Sequence, residues 1–269
     1  MKNKPLIGIA LGSGSARGYA HIGVLQVLNE EIPFDMVAGS SMGALVGALY
    51  VTGTDLNMLG RLAGELSSKM LWDMSISRKG FIKGERIYEL ISMLTKGKSF
   101  EETDIPFYCV ACDIATGEAV VFDTGKIADG VRASISIPGI FVPFEHEGRM
   151  LVDGGVLYRV PAQVLQEAGS DIVIGVDVGY CGEQREQPVG AVEIIQYTMD
   201  IMGWEGTRHC ASHADILIRP KVRHLSSASF KKPQEFIEAG RLAAQEALPD
   251  IRALIGRKAA EIEALAQMA

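Results

Sequence analysis

Cysteine is scarce in this sequence: Cys109, Cys112, Cys181 and Cys210 are the four present in 269 residues. That density does not suit a disulfide-stapled scaffold and fits a reducing compartment. Positive charge is also in deficit. Lys and Arg number 26 against 33 Asp and Glu, a formal net charge of -7. Binding a polyanion needs clustered cations, which argues against a nucleic-acid partner and against general attraction to anionic membranes. Long apolar runs are missing as well. No stretch approaches the roughly 18 uncharged residues of a transmembrane helix. Residues 6–11 form a short apolar run that ends in Gly12-Ser13-Gly14 and is too brief for a signal-peptide core. These absences lead to the expectation of a cytoplasmic protein.

What the sequence does have is apolar material. With 48% hydrophobic and 22% charged residues, it can bury a large core and carries no sign of disorder. The length suits one α/β domain, expected over residues 1–269. The apolar run at 6–11 is followed by helical spacing of Ala20, Val24 and Leu28, and residues 34–38 are followed by a helix-like 44–51. Two successive βα units predict a parallel sheet with helices on its faces. Further along, helices are expected within 55–98, paired strands at 106–112 and 119–122, and a helix over 127–136. Strands follow at 149–152, 172–176 and 216–218. Helical patterns cover 191–211 and 233–269, the last split at Pro249.

Three elements carry chemistry. Gly39-Ser40-Ser41-Met42-Gly43 matches G-x-S-x-G between an apolar strand and a helix, the context of a nucleophile elbow. Gly39 and Gly43 leave the serine room for a sharp turn, and the following helix aims its free amides and positive dipole end at Ser41. The bland reading is a small-residue βα turn. Gly12-Ser13-Gly14-Ser15-Ala16-Arg17-Gly18 lies at another strand-to-helix junction, where backbone amides converge on an anion. A dinucleotide-binding turn fits it poorly: G-x-G-x-x-G needs glycine where Arg17 stands, and Asp35 lies at the start of the second strand instead of its end. An oxyanion hole fits better. Asp153 in Asp153-Gly154-Gly155 ends a strand, and a partly buried carboxylate there can deprotonate a serine directly. A turn aspartate is the ordinary alternative.

Taken together, these elements resemble the patatin-like phospholipase family, especially its bacterial members related to neuropathy target esterase. The resemblance rests on the loop and the following Tyr19-Ala20-His21-Ile22-Gly23-Val24-Leu25, the elbow and Asp153-Gly154-Gly155. The proline-containing run Ala133-Ser134-Ile135-Ser136-Ile137-Pro138-Gly139-Ile140-Phe141 also looks like that family. It covers about residues 7–220 and fades in the helices of about 233–269. It implies a three-layer α/β/α sandwich with a mostly parallel central sheet, and hydrolysis of lipid or other acyl esters by a Ser-Asp dyad, with no cofactor and no metal. Ser41 matches the nucleophile and Asp153 the dyad aspartate. Many members carry Gly-Gly-Gly-x-Arg-Gly where this chain has Ser13-Gly14-Ser15-Ala16-Arg17-Gly18, so Gly14 and Ser15 are assigned as the oxyanion donors. A serine offers its amide there wherever its φ is negative.

Other residues compete for attention. His209 and His213, spaced i, i+4, resemble part of a zinc site, but Cys210 stands where H-E-x-x-H needs glutamate and no third ligand is evident. Cys109 and Cys112 on a strand point to opposite faces and read as core thiols. Arg17 either recognises a lipid phosphate or anchors the loop through a carboxylate. Met70, Leu71, Trp72 and Phe81 suit ordinary core better than an acyl pocket. A Ser-His-Asp triad using His209, His213 or His224 is a rival, although the elbow comes early for that fold. An acyltransferase shares the same acyl-enzyme, and a non-catalytic regulator is suggested by the loop serines. The terminal stripe of Ile251, Leu254, Ile255, Ile262 and Leu265 is available to cover the core, to form a dimer face or to make peripheral membrane contact.

Overall fold

The computed structural model describes residues 4–65, 74–77, 80–184, 187–188, 190–209, 213–222, 225, 230 and 232–268. Among them an eight-stranded mixed sheet forms the centre. Its parallel part runs β10 (Ile216–Ile218), β9 (Ile172–Val176), β1 (Ile7–Leu11), β2 (Met36–Ser40) and β5 (Phe107–Asp113). Three antiparallel strands complete it: β6 (Ala119–Phe122) and β8 (Arg149–Asp153) on β5, and β7 (Phe144–His146) on β8. The paired strands expected at 106–112 and 119–122 are β5 and β6. A separate hairpin, β3 (Met74–Ser77) with β4 (Gly80–Ile82), falls where helices alone were expected.

Both sheet faces are covered, and the side chains alternate as strand geometry requires. Ile7, Ile9 and Leu11 of β1, Val37 of β2, and Ile172, Ile174 and Val176 of β9 point into the larger core. Against them pack α1 (Ala20–Leu28), α2 (Met42–Val51) and α8 (Pro233–Met268), through residues such as Leu25, Val46, Ile237 and Ile251. Ala10, Met36, Ala38 and Val173 point the other way, onto Ala162 and Leu165 of the short α6 (Ala162–Glu167). The three layers anticipated from the resemblance are present. Also on the larger-core side are α3 (Leu56–Glu65), which touches α1 and α8, and α4 (Glu85–Leu94) beside α5 (Ile127–Ser134).

The helices α1 and α8 cross with backbones in direct contact. A Cβ on Gly23 would stand 1.9 Å from Ile237 O, and one on Gly240 would stand 2.0 Å from Ala20 O. Alanine ordinarily stabilises a helix interior by about 1 kcal/mol relative to glycine. Gly23→Ala is expected to have the opposite sign here and lower stability by about 1–3 kcal/mol through overpacking, read as a lower urea midpoint at unchanged slope.

Pro249 does not split the terminal segment, as the sequence reading expected; α8 continues through it. Pro249 and Gln245, one turn before it, both face solvent, so water can satisfy the carbonyl that loses its helical donor. The stripe meets the core as far as Ile255, with Ile251 fully buried, whereas Leu265 is 68% exposed. No helix among the described residues is long and apolar enough to cross a membrane.

Candidate active site

Strand β5 brings the candidate residues together. Its residues 109–112 pair with β6 along one edge. The opposite edge is shared, with β2 covering Phe107 to Val110 and β8 covering Ala111 to Asp113. Because β2 runs parallel to β5 and β8 antiparallel, their carboxyl ends abut. Ser40 pairs with Val110 and Asp153 with the next residue, Ala111. That single step along one strand brings together Ser41 and Asp153, 112 residues apart in the chain, and Ser41 Oγ donates to Asp153 Oδ2 at 2.5 Å.

Ser41 sits at the turn from β2 into α2 with φ 54 and ψ -121. A non-glycine residue held there stores about 1–3 kcal/mol of strain, which the surrounding close packing must maintain. A Cβ on Gly43 would lie 2.0 Å from Leu11 O, so the first turn of α2 can press against the end of β1 only with glycine at this position. Ser41 and Asp153 are 4% exposed. Burial pushes the Asp153 carboxyl up to about 6, against hydrogen bonds from Ser41 Oγ and from Gly155 N that favour its charged form.

The end of α5 and the run after it support both groups, which no local sequence signal disclosed beyond the resemblance of residues 133–141. Ser134 Oγ accepts from Ser41 N at 2.8 Å, and Ser136 O accepts from Asp153 N at 3.0 Å. Arg132, buried beneath, donates to Ser136 Oγ at 2.6 Å and to the carbonyls of Lys83, Gly84 and Val142. It ties this run to the end of the β3–β4 hairpin. Gly154 opens the turn after β8 and is buried against the Val110 carbonyl.

The glycine-rich loop enters a 3₁₀ turn, Ser15–Tyr19, before α1. Gly12 N is committed to Val176 O and Ser13 N to Arg159 O. Among the described residues, the amides of Gly14 and Ser15 have no acceptor, and both residues line one cavity with Ser41 and Asp153. Ser15 has φ 51, so its amide stands free at the left-handed conformation natural to glycine, where the sequence reading required negative φ. Gly18 is buried against Met42, and His21 Nε2 lies 2.8 Å from Gly12 O. Burial lowers His21 to about 4 and keeps it neutral, so Nε2 is the donor that tethers the loop. Arg17 is turned to the Leu225 carbonyl, with Nη1 3.5 Å from Glu183. Its geometry is that of the loop anchor, one of its two sequence readings.

The cavity holds about 70 Å³ and is only part-enclosed. Its far wall is α7 (Ala191–His209), which presents Gln196, Met199, Asp200 and Gly203 from one face. A larger groove of about 490 Å³ runs along α8 past Glu235, Glu238 and Glu246, and its lining holds no serine, threonine or cysteine. Of the competing sequence candidates, Cys109 lies beside Ser134 at the site and the other described ones lie elsewhere. His213 bonds Gln166 Oε1 on the surface, Cys109 and Cys112 are buried thiols, and Phe81 is 56% exposed. Met70, Leu71, Trp72, Cys210, His224 and the side chain of His209 fall outside the described residues.

A serine presented at a strand-to-helix elbow above a mixed sheet, flanked by helical layers, places the protein among the three-layer α/β/α folds. Within them, the chain belongs to the patatin-like phospholipase family, whose model matches residues 9–165. An uncharacterized NTE family protein of Mycobacterium tuberculosis is 39% identical over 65% of this chain. The lysophospholipase nte1 of Emericella nidulans is 32% identical over 68%, and the neuropathy target esterase sws of Drosophila melanogaster is 32% identical over 74%. The chain spans 50% of the mycobacterial protein and 12% and 14% of the other two. The crystal structure of VipD from Legionella pneumophila has the same fold, with a TM-score of 0.63 at 14% identity, covering 93% of this chain and 67% of that one.

Proposed function

We propose that this protein hydrolyses lipid acyl esters with Ser41 as nucleophile and Asp153 as its general base. The observation that carries the reading is the buried Ser41–Asp153 hydrogen bond at a strained elbow. Asp153 Oδ2 takes the hydroxyl proton as Oγ attacks the ester carbonyl. The amides of Gly14 and Ser15, aided by the amino end of α2, receive the charge that develops on the carbonyl oxygen. The proton then passes from Asp153 to the leaving alcohol, and water repeats the sequence on the acyl-enzyme with Asp153 again as base. With its carboxyl near 6, Asp153 is mostly ionised at pH 7 yet more basic than an exposed aspartate, as this work requires. Of the three histidines open to a triad, His213 is tied to Gln166 on the surface. The family and the named lysophospholipase and esterase relatives support a lipid ester as substrate, a lysophospholipid among the foremost candidates.

The regulator reading rested on serine in the loop, and its ground weakens because Ser15 adopts the backbone form that glycine would supply. A fluorophosphonate probe distinguishes the two. The peptide containing Ser41 is expected to carry the label after proteolysis and mass spectrometry. Folded protein that stays unlabelled, while a known serine esterase beside it reacts, would reject the hydrolase.

A further inference from the structure

Arg159 lines the same cavity as Ser41, Asp153, Gly14 and Ser15, and the sequence offered no motif to single it out. Its side chain is 6% exposed. One edge of the guanidinium is spent: Nε and Nη2 donate to Asp177 Oδ1 at 3.0 and 2.7 Å, and Nη2 lies 3.4 Å from Cys181 Sγ. The group lies close against Gly179, with Cζ 5.8 Å from the centre of the Trp204 ring on α7. Nη1, on the other edge, is buried and has no hydrogen-bond partner among the described residues. Its two N–H groups are desolvated without an acceptor, which costs free energy unless something else receives them.

The charges around it point to an anion. Among the described residues Asp177 is the one carboxylate on Arg159, and Arg219 Nε also lies 3.8 Å from its other oxygen. Arg159 and Arg219 therefore draw on the same carboxylate, while Asp153 and Asp200 also line the cavity. Arg17, the second cation of the cavity, faces Glu183, and Asp200 on the α7 wall has a partner of its own. We propose that Arg159 is the head-group residue of this site, its Nη1 donating to a phosphate oxygen of a glycerophospholipid or lysophospholipid whose acyl ester lies on Ser41. The inference rests on the acyl-ester reading of Ser41 and adds a specificity to it. An oxygen of an anionic phosphate makes a charge-assisted bond to a planar fork already held in place by Asp177. Because Nη1 is covered, a phosphate oxygen reaches it only when side chains lining the cavity shift.

Two measurements test this. In calorimetric titration, the wild-type protein is expected to bind glycerol 3-phosphate and not glycerol. Arg159→Lys, which keeps a cation beside Asp177 and removes the fork, is expected to weaken that binding about tenfold or more, the scale of a lost hydrogen bond between charged groups. Kinetically, the ratio of kcat/KM for lysophosphatidylcholine over a monoacylglycerol of the same chain should fall by a similar factor in the variant. A ratio is unaffected by damage that slows both substrates alike. Should Arg159→Lys fail to fold, the wild-type titration decides alone: no heat with millimolar glycerol 3-phosphate overturns the proposal. It is also overturned if the substrate ratio is unchanged in a folded variant, including the case in which inorganic phosphate binds as tightly as glycerol 3-phosphate. Failure of the Ser41 reading looks different, since the wild type would then turn over no ester and take no fluorophosphonate label, whatever the titration shows.

Discussion

Ser41→Ala is expected to lower kcat/KM for p-nitrophenyl esters by about 10⁵-fold or more, with circular dichroism unchanged. Loss of the nucleophile from a serine hydrolase removes that much, because the remaining parts act only through it. Residual turnover within about tenfold of wild type would show that Ser41 Oγ is not the attacking atom. A second variant separates chemistry from backbone. Ser41 lies at φ 54 and ψ -121, so Ser41→Gly removes the nucleophile and also relieves a conformation that alanine must still endure. Ser41→Gly is expected to be more stable than Ser41→Ala by about 1 kcal/mol or more in urea unfolding, although both lack activity.

Asp153→Asn is expected to cost about 100-fold or more in kcat/KM, as removal of a general base does, and to stabilise the fold at the same time. The shape of the group is kept: the carboxamide oxygen of the variant can still accept from Gly155 N, as Asp153 does at 2.7 Å, and its amide can face Ser41 Oγ. What disappears is a buried charge. The folded carboxyl sits near 6, above its ordinary 3.8, so the native state holds this proton more tightly than the unfolded chain. That contribution to stability is complete below about pH 3.8 and is lost as pH rises through about 6. Above pH 6 the wild type therefore carries a cost of about 3 kcal/mol that the asparagine variant escapes. Urea midpoints at pH 5 and pH 8 are expected to show the variant's advantage growing with pH. The wild-type kcat/KM should rise through about pH 6 as the base ionises, and the variant should lack that limb. Full activity in a folded Asp153→Asn protein would end the dyad assignment.

The elements that were legible in the sequence are those whose signal is local. The elbow announces itself through glycines two positions either side of Ser41, and the strands β1, β2 and β9 through short, mostly apolar runs that suit burial on both faces. Asp153 was found only because a family pattern lifted it above the many Asp-Gly turns. The hairpin β3–β4 and the short β7 were missed, since three or four residues leave too little alternation to detect. Pro249 misled because a proline is disruptive according to which face of the helix it occupies, and that is set by tertiary packing. Arg132 and Arg159 had no signature at all, and Ser134 and Ser136 only the family likeness of the run 133–141. Each acts through a partner remote in sequence, as Ser134 does on Ser41 and Arg159 on Asp177, and a single polar residue carries no period by which to be noticed.

The way β2 and β8 meet on β5 also makes the chemistry a late event in the life of the chain. On the proposed dyad, a nascent polypeptide that has emerged through α2 has the elbow, yet its serine gains its base only when residues 149–153 find the remaining half of the β5 edge. Hydrolysis thus reports that this seam has closed. In refolding, recovery of helical signal can run ahead of recovered turnover, and the lag between the two times the docking of one five-residue strand.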